Sequence, residues 1–406
     1  MNAADRPGPS TAVVGREVPG FDDLDPDRLR QRPGVKWARV GPDVLPAWVA
    51  DMDFPAPAVV RDALRAYVDQ GDLGYPDWPD GTPLRPLFAR RMADRHGWDA
   101  AASRVREQSD LIQSVQIVLH LATAPGDAVA VQTPNYPPFL ATLDTMDRKT
   151  VAVPTTDTDA GWRMDLAALA DGVARHGCKA LLLVNPHNPT GHVLTRDELQ
   201  EIAAIARRHD LLVVSDEIHA ELTHAPHRHI PFASLSPDAA ARTVTLTSAS
   251  KAFNVAGLRC MVTHYGPDRL LALRDAQPPE LYGAVPVLGV VGTEAAWRHG
   301  DDWQRTLLAV LDRNRHRVRD TVAARLPAVR HHMPEGTYLA WLDAGRLALP
   351  KAPVETVLER GAVRLEGGDW FGASGSTCLR LNFATSARIL DEVLDRVVAA
   401  LAPLQP

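Results

Sequence analysis

Thr243-Val244-Thr245-Leu246-Thr247-Ser248-Ala249-Ser250-Lys251-Ala252-Phe253-Asn254 is the stretch that decides the fold. Its first five residues alternate as a strand does. Small hydroxyl residues and a lysine follow directly, and Arg259 comes eight positions after Lys251. Three other short apolar runs have the same character: Ala128-Val129-Ala130-Val131, Ala180-Leu181-Leu182-Leu183-Val184 and Leu211-Leu212-Val213-Val214. Near-continuous apolar strands of this length are buried on both faces, as in a parallel sheet covered by helices. Helical patterns separate them. One has Thr195 as N-cap and Glu198 three residues later, a capping box, and runs to about Arg208; another starts at Thr82 with Pro83 in its first turn. The series predicts an α/β fold whose ligands bind at the carboxyl ends of the strands.

Outward from this core the pattern changes. Residues 1–20 are rich in Pro, Gly and polar residues and read as a loose arm. The alternating region spans 57–285, preceded by a segment 21–56, and 286–406 reads as a smaller α+β domain. Tyr338 to Leu342 and Cys378 to Asn382 are its strands. Ile389, Leu390, Val393, Leu394, Val397, Val398 and Leu401 form one apolar stripe of a final helix.

With 406 residues, the chain suits more than one lobe. A formal charge of −6 without a basic stripe argues against nucleic acid as a partner, and no apolar run reaches membrane-spanning length. The N-terminus lacks an apolar h-region, which predicts no secretory signal. Cys178, Cys260 and Cys378 are widely spaced and read as reduced thiols of a cytoplasmic protein. His224, His227 and His229 cluster, but no Cys or carboxylate completes a metal-ligand set in their loop, and a plain connecting loop is the preferred reading.

Chemistry-bearing residues recur where the strands end. Lys251 with Ser248 and Arg259 suits a phosphorylated aldehyde such as pyridoxal phosphate (PLP): the amine forms an imine while hydroxyl and guanidinium hold phosphate. Asp216 closes Val213-Val214-Ser215 and is expected to lie deep, where a carboxylate needs a cation. A pyridinium would serve, worth roughly 4 kcal/mol at ~4 Å and an effective dielectric of ~20. Asn185-Pro186-His187-Asn188-Pro189-Thr190-Gly191 follows another strand, and is either a plain turn or the place from which Asn188 donates a hydrogen bond. Tyr136 closes a third strand, as a core tyrosine or as a ring-stacking one. Arg380 lies inside an apolar strand and wants a bidentate anion, either a substrate carboxylate or an internal Asp or Glu.

In that order, Asn188, Asp216, Lys251 and Arg380 resemble the fold-type I PLP enzymes of the aminotransferase class I/II family, over residues 20–402. Trp48 to Phe54, Asn185 to Gly191, Ser215 to His219, His229 to Phe232, Thr337 to Asp343 and Arg380-Leu381-Asn382 look like the cystathionine β-lyase (MalY/PatB) subgroup. The resemblance implies a large PLP-binding domain with a mostly parallel sheet and a small C-terminal domain against which 21–56 packs. It makes Lys251 the imine-forming lysine and catalytic base, and pairs Asp216 with the pyridine nitrogen. Asn188 holds the ring's 3′-oxygen, with His219 where many relatives have Tyr, and Tyr136 stacks on the ring. Ser248, Arg259 and the amides of Leu111 and Ile112 take the phosphate. Arg380 grips the substrate carboxylate. Tyr75 reaches the neighbouring subunit's phosphate, which implies a homodimer with shared active sites.

The implied activity is C–S β-elimination on a cysteine S-conjugate or cystathionine-like amino acid, giving a thiol, pyruvate and ammonia. The alternatives are an aminotransferase and a decarboxylation-dependent oxidative deaminase giving an aldehyde. Two departures widen the substrate question. Asp110 stands in the turn expected to cradle phosphate, where capping the next helix is the reading that avoids repulsion, and Arg259 brings a charge that offsets it. Gln113 and Gln116 are expected to add polarity near the pocket. Together these point to a tailored substrate of specialised metabolism, such as lincosamide antibiotic biosynthesis.

Overall fold

The computed structural model describes residues 17–406. Most of the expected N-terminal arm, 1–16, therefore lies outside the described residues. In chain order the strands are β1 (Leu45–Pro46), β2 (Val105–Gln108), β3 (Ala128–Thr133), β4 (Lys149–Thr158), β5 (Gly161–Met164), β6 (Ala180–Val184), β7 (Leu212–Asp216), β8 (Thr243–Thr247), β9 (Met261–Tyr265), β10 (Arg330–His331), β11 (Leu339–Asp343), β12 (Val363–Arg364), β13 (Glu366–Gly367) and β14 (Cys378–Asn382).

Eight of them make one sheet in the order β2-β9-β8-β7-β6-β3-β4-β5. The run from β8 to β4 is parallel, while β9 and the edge strand β5 are antiparallel to their neighbours. The two-residue period of a strand divides the side chains between two apolar layers. Leu181, Leu183 and Val213 pack on one face with Leu199, Ile202 and Ile205 of the helix Arg196–Arg208. Leu182, Val184, Val214 and Leu246 pack on the other with Val115, Val118 and Leu119 of the helix Leu111–Ala122. The fold is thus α/β with a mostly parallel sheet covered by helices, as the apolar runs predict.

Local signals explain the boundaries. Thr195 and Glu198 form a reciprocal capping box at the start of Arg196–Arg208. The helix Leu84–His96 begins after Pro83, and the Thr82 hydroxyl accepts from the Leu84 amide at 3.2 Å. The helix therefore starts two residues later than the sequence suggests, with Pro83 rather than Thr82 at its N-cap. The C-terminal part builds a second sheet, β10-β11-β14-β13, antiparallel throughout. The final helix Ala387–Leu401 buries every residue of its expected apolar stripe.

The segment before the large sheet connects the two parts. β1 pairs in parallel with β12. Beyond it, Trp48 to Phe54 is clamped from both sides. The Asn382 amide donates to the carbonyls of Val49 (2.7 Å) and Asp51 (2.6 Å). The Asn254 amide donates to Phe54 (2.7 Å) and Met52 (3.2 Å) and its oxygen accepts from the Met52 amide. Lys36 and Asp53 form a buried ion pair at 2.9 Å, to which the Trp37 indole donates at 2.7 Å. Lys36→Ala strands the Asp53 carboxylate in an apolar setting and is expected to cost about 3–5 kcal/mol, seen as a lower thermal unfolding midpoint than that of the unsubstituted protein.

Candidate active site

The carboxyl ends of β3, β6, β7 and β8 open into one cavity of about 320 Å³. Ten of the residues singled out in the sequence line it: Leu111, Ile112, Tyr136, Asn188, Asp216, His219, Ser248, Lys251, Arg259 and Arg380. The large sheet gathers most of them at this edge, and Arg380 reaches it from the middle of β14 in the second sheet. Tyr75 is not among them; it is fully exposed in this single chain.

Lys251 sits in the short helix Ala249–Ala252 that follows β8. Its Nζ donates to the Ala50 carbonyl at 2.7 Å, a carbonyl that also accepts from the Tyr338 hydroxyl at 2.8 Å. Burial lowers the Lys251 pKa, opposed by the nearby Asp51 carboxylate. Ser248 caps the helix: its Oγ accepts from the Ser250 amide and donates to the Cys260 carbonyl at 2.7 Å. Ser250 also lines the cavity.

Asp216 and Glu217 show how one acidic pair divides between two tasks. Successive residues point to opposite sides. Glu217 is spent structurally, accepting from Ser215 Oγ, the Phe232 amide and the His229 ring. Asp216 faces the cavity, and the Ile218 amide donates to it at 3.0 Å. Burial pushes its carboxyl up to about 7. Asn185 and Asn188 divide likewise. The Asn185 oxygen accepts from the Leu194 amide, while Asn188 lines the cavity. The Asn188 oxygen accepts from Arg380 at 3.0 Å, which turns its amide donor toward the open space.

His219 is buried with its Nδ1 unpaired, and burial lowers its pKa to about 3, so the ring is neutral. Tyr136 ends the loop after β3 and packs edge-on against Phe139 at 5.6 Å. Burial raises its pKa, keeping the phenol protonated.

Asp110 is the N-cap of the helix Leu111–Ala122, accepting from the Gln113 amide at 2.9 Å. It also pairs with Arg259. The amides of Leu111 and Ile112, in the first turn, have no acceptor within the helix. The polarity expected of Gln113 and Gln116 does not reach the cavity, because their amides are used elsewhere. Gln113 accepts from Ser109 and donates to the Tyr282 carbonyl, and Gln116 reaches Thr142.

Arg380 projects from β14. Its Nη1 donates to Asn188, its Nη2 donates to the Trp48 carbonyl at 3.0 Å, and its guanidinium lies over the Phe371 ring at 4.8 Å. Its buried Nε has no partner. Of the two anions weighed for this arginine, the internal acid is present: Glu366 of β13 stands 3.6 Å from Nη2. Glu366, Ala50 and Tyr338 were not legible as site residues. β13 is only two residues long, and Ala50 acts through its carbonyl.

The histidine cluster is dispersed among separate tasks. His224 bonds the Thr337 carbonyl at 2.7 Å, His229 bonds Glu217, and His227 lies 3.9 Å from Glu335. Cys178, Cys260 and Cys378 are free and buried.

The model of the aminotransferase class I and II family matches residues 49–397. The chain is 33% identical to cystathionine beta-lyase PatB of Bacillus subtilis over 387 residues, covering 93% of this chain and 99% of that one. The crystal structure of cystalysin from Treponema denticola, which contains a pyridoxal 5′-phosphate cofactor, superposes with a TM-score of 0.85 at 30% identity, covering 93% of this chain and 98% of that one. The PLP-bound C-S lyase of Staphylococcus hominis gives a TM-score of 0.87 at 28% identity, covering 94% and 98%. With this match along most of its length and the strand-end cavity in place, the chain belongs to the aminotransferase class I and II family.

Proposed function

We propose that the protein is a PLP-dependent carbon–sulfur lyase that cleaves cysteine S-conjugates or cystathionine-like amino acids to a thiol, pyruvate and ammonia. One observation carries the reading: Lys251, Asp216 and Arg380 share one cavity, and none of the three has a full complement of partners among the described residues. Their needs fit PLP. Asp216 lacks a cation in contact and would hold a protonated ring nitrogen. The first-turn amides of Leu111 and Ile112, with Ser248, Ser250 and Arg259, would take the phosphate. Asn188 and His219 would meet the ring's oxygen, and Tyr136 would cover its face.

When bound, PLP supplies the aldehyde that takes the substrate amine and the ring that stores the electron pair left on Cα. The chain does the rest. Arg380 holds the substrate carboxylate through its unpaired Nε edge. Lys251, once free, takes the Cα proton at Nζ; burial favours its neutral form, which a base requires. The carbonyl of Ala50 and the Tyr338 hydroxyl beside it fix where that amine rests. The C–S bond then breaks, the sulfur leaves as thiolate, and water releases pyruvate and ammonia.

An aminotransferase would use the same residues, and Arg259 in the cavity favours that second reading. The Asp110–Arg259 pair supports a tailored S-conjugate of specialised metabolism, lincosamide biosynthesis among them. In that setting the oxidative deaminase reading also stands. A homodimer is supported by Tyr75, which is fully exposed and free to serve a partner's phosphate. Three buried free cysteines support a cytoplasmic, reducing setting; among the described residues no helix is long and apolar enough to cross a membrane.

Incubation of the PLP-loaded protein with a panel of cysteine S-conjugates should release pyruvate and ammonia in equal amounts with no keto-acid acceptor added. A need for a keto-acid acceptor would establish the aminotransferase, and oxygen uptake with carbon dioxide release the deaminase. Lys251→Ala should lose the lysine-bound visible band and reduce turnover by about 10²–10⁴-fold or more. Asp216 gives a pH signature in the cofactor-free protein. Its folded pKa is raised to about 7, so its stabilising contribution is complete below the ordinary carboxylate range and is lost as pH rises through about 7. Asp216→Asn should therefore melt progressively higher than the unsubstituted cofactor-free protein between acid and neutral pH, and PLP should shrink the difference.

A further inference from the structure

Among the described residues, Glu366 is the one acidic side chain of the cavity besides Asp110 and Asp216. Its place is set by backbone register, because Glu366 of β13 lies directly across from Arg380 of β14. Facing residues of an antiparallel pair share one side of the sheet. The carboxylate thereby stands 3.6 Å from Arg380 Nη2. Arg380 Nη1 is engaged by Asn188 and Nη2 also meets the Trp48 carbonyl, so the edge formed by Nε and Nη2 is where an incoming carboxylate would dock. Glu366 borders that same edge.

Two carboxylates cannot share one buried guanidinium edge while both are charged. Among the remaining groups around Glu366, Arg364 also attracts its carboxylate but is engaged elsewhere. Arg364, on β12, lies over the Trp48 ring at 3.9 Å and donates to the Arg39 carbonyl at 2.7 Å. Asp369, in the turn after β13, repels Glu366, and Tyr136 across the cavity is a neutral phenol.

We propose that Glu366 guards the carboxylate site: it occupies Arg380 in the resting enzyme, and an amino acid docks there with uptake of one proton by Glu366. This rests on the reading of Arg380 as the carboxylate-binding residue. Burial already lifts the Glu366 carboxyl above its usual range. Below its pKa the residue is neutral and does not compete; above it the charged form must be displaced or protonated. Amino-acid affinity therefore falls as pH rises through that range.

The test uses the PLP-loaded enzyme and L-alanine, which has no leaving group on Cβ, with binding followed by the cofactor's absorbance. Glu366→Gln should bind L-alanine roughly 5-fold more tightly at pH 8, the scale of one partly buried charge pair, and lose most of the pH dependence. Ethylamine, which lacks a carboxylate, should bind both forms alike. In the unsubstituted enzyme, calorimetry in buffers of different ionisation enthalpy should show more proton uptake with L-alanine than with ethylamine, a measurement that needs no variant. Equal affinities of the two forms for L-alanine, or no excess proton uptake, would overturn the guard role. Arg380→Ala separates the two ideas. If it leaves L-alanine affinity unchanged, the carboxylate role of Arg380 fails, and the guard role with it. If it weakens L-alanine while Glu366→Gln changes nothing, the guard role alone fails.

Discussion

A sheet covered on both faces leaves polar chemistry one way out, at the strand ends. β3, β6, β7 and β8 are buried almost throughout, and an unpaired polar side chain in their middle would cost several kcal/mol. Parallel pairing brings the four carboxyl ends to one edge. Asn188, Asp216, Ser248, Lys251 and Tyr136 are neighbours because each lies at or just beyond that edge. The distance in sequence between them reflects only the helices needed to return the chain.

The cavity itself is electrostatically unsettled. Lys251 is pushed toward its neutral form and Asp216 toward its protonated one, both by burial. Arg380 keeps an unpaired Nε beside Glu366. Elsewhere buried charges meet an opposite charge directly, as in the Lys36–Asp53 pair or the Arg91 guanidinium held between Glu221 and Asp301. Charges left unresolved in one place, within a protein that resolves them in others, mark where a ligand completes the set.

Much of this was legible in the sequence, for a physical reason. Leu181 to Val184 and Val244 to Thr247 reveal buried strands because sheet burial on two faces leaves a continuous apolar run. Lys251, Asp216 and Asn188 stand out because polar residues directly after such runs are unusual. Asp216 stands apart from Glu217 as the acid that closes the run, while the structural tasks of Glu217 and Asn185 follow from backbone direction and leave no local pattern. Ala50 was invisible, because its contribution is a carbonyl and any residue carries one. Glu366 was invisible because its placement follows from pairing between β13 and β14, not from a local pattern. Asn254 lay within the first stretch read. Its left-handed backbone, at φ 54°, was not legible there, nor was its grip on Met52 and Phe54.

That grip sets an order of events for a chain emerging from the ribosome. Trp48 to Phe54 is made early, but it is fixed by Asn254 some 200 residues later and by Asn382 more than 330 residues later. The Ala50 carbonyl, which anchors the Lys251 amine, sits between Val49 and Asp51, the two residues that Asn382 holds. Non-local contacts of this span close late. The large sheet has all its strands once Tyr265 is made, yet the seat of the lysine waits for Asn382. Synthesis therefore delivers the scaffold before the working centre.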